Sequence, residues 1–128
     1  MIMEPGPPAP RTRVELRFPG TPEFLRLARL ATADAGGRAG LGVDEIDDLR
    51  IAVSELCALI GGDDVDITLG FDCAPGVLVV DGRGGTGILE GENAEMAQAL
   101  VHALVDECAL ETDRSAATFR VRKGSITA

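Results

Sequence analysis

Between Asp44 and Ile60 the apolar residues Ile46, Leu49, Val53, Leu56 and Ile60 recur at steps of three and four. That spacing places them on one stripe of an α-helix, at about 100° per residue. Asp44, Glu45, Asp47 and Asp48 open the segment, where the helix dipole favours negative charge. Gly61-Gly62-Asp63-Asp64 closes it. A helix with one apolar stripe gains its stability by packing on another layer, and the rest of the chain must supply that layer.

Most of that layer reads as strand. Arg13–Phe18 alternates Val14, Leu16 and Phe18 against Arg13, Glu15 and Arg17, the period of a half-buried strand. Val65–Phe71 alternates in the same way. After the turn Ala74-Pro75-Gly76, the apolar run Val77–Val80 reads as a central strand leading into a glycine-rich loop with Gly82, Gly84, Gly85, Gly87 and Gly91. Cys108–Thr112 and Ala116–Arg122 read as a closing pair of strands.

Two further helices are expected. Thr21-Pro22-Glu23 is a helix start, and Phe24, Leu27, Ala28, Ala31 and Ala35 form a stripe that runs to about Gly36-Gly37. Asn93 can cap another helix with Met96, Ala97, Leu100, Val101, Leu104 and Val105 inward. His102 falls near its opposite face, towards solvent. The order of elements favours an α+β two-layer sandwich, with about three helices on one face of a mostly antiparallel mixed sheet.

A chain of 128 residues fits one domain. The expected division is a flexible Pro-rich tail over 1–11, one domain over 12–123 and a frayed end over 124–128. With four Phe and no Tyr or Trp, the core must be aliphatic, and stacking platforms for single-stranded nucleic acid are scarce. The net charge of −9 also argues against a nucleic-acid partner. Residues 39–112 carry two arginines and sixteen acids, whereas both ends are basic. That acidic body serves solubility or docks a basic protein. Cys57, Cys73 and Cys108 form no CxxC, and lone His102 completes no zinc set. Buried, reduced thiols in the cytoplasm are the expectation. No signal peptide or membrane-length apolar stretch is visible.

Chemistry is sparse. Glu55 lies roughly 130° from the centre of its helix's core stripe, with Leu59 one turn on. A carboxylate there is a solvated flank residue or a group that orients an attacking hydroxyl. Asp81-Gly82-Arg83-Gly84 follows a strand and reads as a surface loop or as a backbone approach for a ligand. It is neither a Rossmann fingerprint nor a Walker A loop. No Ser–His–Asp or Cys–His set is present.

The segment from Leu25 to Leu41, together with Asp44–Cys57, which contains Asp48-Leu49-Arg50-Ile51-Ala52-Val53-Ser54-Glu55-Leu56-Cys57, resembles the first two helices of the anti-sigma-factor serine kinases, members of the GHKL (Bergerat-fold) ATPases. Ala103–Cys108 and Phe119–Lys123 extend the resemblance over about residues 13–123. It implies binding to a sigma factor, phosphorylation of an anti-anti-sigma (STAS) partner with Mg-ATP, and a homodimer. It implies Glu55 as general base and Asp81, Gly82 and Gly84 as the nucleotide loop. Three departures fall on the nucleotide boxes. Leu59 stands where the family has a magnesium-ligating asparagine, and a leucine has no oxygen to offer a hard cation. Matching Gly82 and Gly84 to the family's glycines puts Val80 at the adenine-binding acid and turns Asp81 to the other strand face. Glu90-Gly91-Glu92-Asn93-Ala94 brings acids to the phosphate box.

The expected function is therefore an anti-sigma-like regulator with nucleotide (ATP or ADP with Mg) binding weakened or lost. The alternatives are an active kinase of the same family, in which a strand bulge at Asp81 restores the adenine contact, and an unrelated α+β domain. Candidate partner contacts are Arg13 and Arg17, on a strand that could pair with a second copy, and Arg26 and Arg29, on the exposed side of the first helix.

Overall fold

The structure is a computed structural model that describes residues 11–85 and 92–125. Five strands, β1 (Thr12–Pro19), β2 (Asp66–Ala74), β3 (Val77–Gly84), β4 (Glu107–Thr112) and β5 (Ala117–Gly124), form one sheet in the order β1-β2-β3-β5-β4. All four pairings are antiparallel. Helices α1 (Leu25–Arg38), α2 (Val43–Ile60) and α3 (Glu92–Leu104) pack on one face, with α2 between the other two. This is the α+β two-layer sandwich expected from the sequence, with every strand pair antiparallel.

The stripe that organised the sequence lies at the centre of the core. Leu49, Val53, Leu56 and Ile60 are fully buried beneath α2. They face Ile67, Leu69 and Phe71 of β2, Leu78 and Val80 of β3, and Ala117, Phe119 and Val121 of β5. Glu45 accepts a hydrogen bond from the Gly42 N–H at 3.1 Å and so satisfies a donor at the start of α2.

The first helix differs from its expected pattern. Pro22–Phe24 forms a 3-10 turn, and α1 begins at Leu25. Its buried face is Ala28, Thr32, Ala35 and Gly36, whereas Leu27 is 39% and Leu30 57% exposed. Close approach is the reason. A Cβ on Gly36 would lie 2.8 Å from Ile46, so the two helices approach closely there and that position takes no side chain unless Ile46 moves. The buried Thr32 hydroxyl donates to the Ala28 carbonyl at 2.8 Å.

Helix α3 also buries less than its pattern promised. Ala94 and Val101 are buried, but Met96 is 65% and Leu100 41% exposed. Asn93 lies inside the helix, not before it. In β1, Phe18 is buried and Val14 is 45% exposed, as suits an edge strand with a partner on one side only. Gly124, placed beyond the domain by the sequence, closes β5 opposite Val77. Gly87 and Gly91 lie outside the described residues.

Candidate functional site

Strand parity decides where the expected nucleotide loop points. Asp81-Gly82-Arg83-Gly84 is not a loop but the second half of β3, paired without a bulge to β2 and β5. Val80 and Gly82 therefore face the helices, and Asp81 and Arg83 face away from them. Val80 is fully buried. Asp81 instead meets Arg13, whose guanidinium lies 2.9 and 3.2 Å from the two carboxylate oxygens. Arg13 reaches across Gly70 of the intervening strand and pairs also with Asp72 at 2.9 Å and Glu15 at 3.2 Å. The hydrogen bonds to Asp81 and Glu15, together with the fields of Asp81 and Asp72, hold the Arg13 guanidinium more firmly protonated than usual.

Both candidate glycines are used in packing. A Cβ on Gly82 would fall 2.2 to 2.8 Å from three ring atoms of Phe119, the residue opposite it on β5. Phe119 is 3% exposed. Its ring fills the hollow above Gly82. A Cβ on Gly84 would fall 2.3 Å from the Ile60 carbonyl oxygen, at the last residue of α2. The neighbouring Gly85 N–H donates to that same oxygen at 2.9 Å. The C-terminus of α2 is thereby sewn to the end of β3 through an otherwise orphaned carbonyl.

Glu55 is half-buried on α2 and makes no hydrogen bond or ion pair to the described residues. Leu59, one turn on, is half-buried and packs against the core. Beside Glu55, the Ser54 hydroxyl accepts from Arg29 of α1 at 3.1 Å, so Arg29 is not on the open side of its helix. Glu90 and Gly91 of the expected phosphate box lie outside the described residues. Glu92, Asn93 and Ala94 form the first turn of α3, where Glu92 and Glu95 put two acids near its positive end.

The four candidate partner arginines divide. Arg13 and Arg17 belong to ion pairs within the sheet, Arg17 with Asp66 at 3.0 Å. Arg29 is tied to Ser54, and Arg26 is exposed without a hydrogen bond or ion pair to the described residues. Sequence reasoning missed Lys123, whose ammonium bonds the Leu104 carbonyl at 2.7 Å and Asp48 at 3.2 Å, linking β5 to α3 and α2. It missed Phe119 as well. The available signal was a glycine in an apolar strand, which marks a close neighbour without identifying it.

Burial pushes the Cys57 thiol up to about 12, and it also raises Cys73 and Cys108. Cys57 and Cys73 are buried as expected, whereas Cys108 is only half-buried. Among the described residues no group of three or more His, Cys, Asp and Glu could hold a metal. Among the described residues, likewise, no helix is long and apolar enough to cross a membrane.

No family model matches the chain. It is 43% identical over 44 residues to the serine-protein kinase RsbW of Bacillus subtilis (strain 168), across 34% of this chain and 28% of that protein. It is 37% identical over 65 residues to serine-protein kinase RsbW of Listeria monocytogenes serotype 4a (strain HCC23), across 46% and 41% of the two chains. A third serine-protein kinase RsbW, from Bacillus cereus (strain AH187), is 35% identical over 48 residues, across 38% and 30%. The chain thus spans between about a quarter and two fifths of the length of these relatives, and over that part it is RsbW-like.

Proposed function

We propose that this chain is a regulator of the anti-sigma-factor type, which works by holding a sigma factor, an anti-anti-sigma (STAS) partner or both, and in which nucleotide binding is lost. The likeness to RsbW kinases and the α+β sandwich support the family reading. One observation carries the loss of nucleotide: the hollow above Gly82, the glycine that the family resemblance puts in the nucleotide loop, is filled by Phe119. The neighbouring chemistry agrees. Asp81 is engaged on the far face of the sheet. Leu59 offers no oxygen to magnesium. Acids stand at the start of α3. These residues do not fit Mg-ATP.

The helical layer retains a surface for a protein partner. Leu27 and Leu30 of α1 and Ile51 of α2 are exposed, and Arg26 stands on the same helix as the two leucines. Exposed apolar side chains on the same helix as an arginine with no partner among the described residues suit an interface core with a charged rim. The edge strand β1 offers its open side to a second copy of the chain.

A second reading, an active serine kinase, draws on Glu55, a half-buried carboxylate with no partner among the described residues. Calorimetric titration of ATP and ADP, with and without magnesium, separates the two. No heat up to millimolar nucleotide is expected. Micromolar, magnesium-dependent binding would overturn the proposal, and loss of phosphate transfer in Glu55→Ala would then identify the base. Arg26→Glu should weaken capture of a sigma factor or STAS protein from the source organism, and sedimentation velocity reads the dimer.

A further inference from the structure

The sheet face turned away from the helices holds a concavity of about 470 Å³. It lies between Arg11, just ahead of β1, the β2–β3 hairpin end, and the last turn of β5. That volume is in the range of small-molecule sites. Its floor is apolar: Val77 is buried, although it points away from the helical core, and Val79 is half-buried beside it. Cross-strand register sets Val79 between Asp72 of β2 and Arg122 of β5, and Arg120 follows on the same face two residues earlier.

The charges around this floor are unequal. Asp72 is the one acid lining it among the described residues, and Arg13 already answers that carboxylate at 2.9 Å. Arg122 pairs with Glu107 at 3.3 Å and donates to the Gly124 carbonyl. Arg11 and Arg120 make no hydrogen bond or ion pair to the described residues. Arg11 and Arg120 thus stand over a valine floor without a hydrogen-bonded partner among the described residues: Asp81, opposite Arg120 on β3, is engaged by Arg13, and Glu107, whose carboxyl feels the field of Arg120, pairs with Arg122. Guanidinium forks bind carboxylates and related oxyanions with two parallel hydrogen bonds, and the valines reward an apolar body.

We infer that this concavity binds a small amphipathic organic anion, with its acidic head on Arg120 and Arg11 and its apolar body on Val77 and Val79. The site lies on the opposite face of the sheet from the helices, so it is independent of both the Gly82 hollow and the α1–α2 surface. A regulator built in this way carries a ligand site apart from its partner surface.

Anilinonaphthalene sulfonate is a suitable probe, because it joins an aromatic body to a sulfonate. The folded protein should enhance its fluorescence saturably, with one dye per chain, and decanoate should displace it. Arg120→Glu and Val79→Glu should each weaken binding by at least about tenfold, the scale of one charged hydrogen bond. Arg114→Glu makes the same charge change in the β4–β5 turn and should leave binding intact. Far-UV circular dichroism and the urea midpoint verify that each variant is folded, and the milder Arg120→Gln serves if Arg120→Glu is not. Equal binding by all variants, or dye uptake that never saturates, would overturn the inference. A dimer that excludes the dye and dissociates on Arg120→Glu would assign the face to a second copy instead. Displacement by an acidic peptide but not by decanoate would likewise reject a small ligand.

Discussion

The packing of Phe119 over Gly82 can be tested by a double-mutant cycle. In Gly82→Ala the new methyl would sit 2.2 Å from the nearest ring carbon of Phe119, well inside contact distance. The ring cannot swing freely, because Phe119 is 3% exposed and part of the core. Overpacking of this kind costs about 1–3 kcal/mol. The stiffer unfolded chain returns about 0.4–1 kcal/mol at a compatible backbone. Phe119→Ala alone should cost about 3–5 kcal/mol through lost burial and the cavity left behind. In the double variant the clash disappears and the methyl introduced at position 82 enters the vacated space, recovering up to about 0.8 kcal/mol. The pair should therefore cost less than Phe119→Ala alone, and the coupling should exceed about 1 kcal/mol. The chain has no Trp or Tyr, so urea unfolding is best followed by far-UV circular dichroism. With a slope of about 1–3 kcal/mol per molar urea, each of these differences is resolvable. Additivity within about 0.5 kcal/mol would refute the argument. So would a stabilising Gly82→Ala, because the glycine would then be kept for something other than Phe119.

The Cys57 thiol gives a pH dependence whose sign follows from its burial. Folding holds it protonated up to about 12, against 9.0 for the free group, so its contribution is intact below pH 9 and lost as pH rises from 9 to 12. Urea midpoints should fall over that window in the wild type and less steeply in Cys57→Ala. Maleimide labelling of the native protein should modify the half-buried Cys108 first, with Cys57 and Cys73 protected until unfolding; simultaneous modification of all three would contradict the burial described. Asp113 accepts from the Ser115 N–H at 2.7 Å, the Ser115 hydroxyl at 2.8 Å and the Ala116 N–H at 2.8 Å, which hold its carboxyl below the usual range. Its contribution is present at neutral pH and lost as pH falls through that lowered value, so Asp113→Ala should speed amide exchange at Ser115 and Ala116 and flatten the acid limb of the stability profile. Leu59→Asn should destabilise the fold by about 1–3 kcal/mol, because it places an amide against apolar neighbours, without producing magnesium-dependent nucleotide heat. Appearance of such heat would mean that position 59 alone had blocked the metal.

The fold was legible wherever one periodic pattern met one burial requirement. The α2 stripe and the alternation of β2 each name a buried face: Leu49, Val53, Leu56 and Ile60 are buried with Ile46 half-buried, and Ile67, Leu69 and Phe71 are buried with Val65, just ahead of β2, half-buried. The pattern failed where a helix packs by small residues. Leu27 falls on the expected stripe of α1, but the residues buried on that helix are Ala28, Thr32, Ala35 and Gly36, and Gly36 lies against Ile46 of α2. Hydrophobicity ranks side chains by transfer from water, and close helix approach ranks them by volume. On α3 the exposed Met96 and Leu100 show the same limit: periodicity gives a direction, and the amount buried depends on how much of the neighbouring layer reaches that far.

At the candidate site, the readable part was parity. A strand turns successive side chains to opposite faces, so a one-residue displacement of Asp81 carries it to the side where Arg13 meets it. Nothing in the sequence says which residue of β5 stands opposite Gly82, because register between strands distant along the chain is set by the whole sheet. That gap bears directly on function. A glycine kept so that a ligand can approach the backbone and a glycine kept so that a neighbouring ring can approach it obey the same requirement, the absence of a Cβ. Their sequences look alike. The distinction lies in what occupies the space above: at Gly82 it is the ring of Phe119, and at Gly84 it is the end of α2. The glycines that would suggest a nucleotide loop are accounted for by packing inside this chain, and the proposed loss of nucleotide binding rests on that assignment.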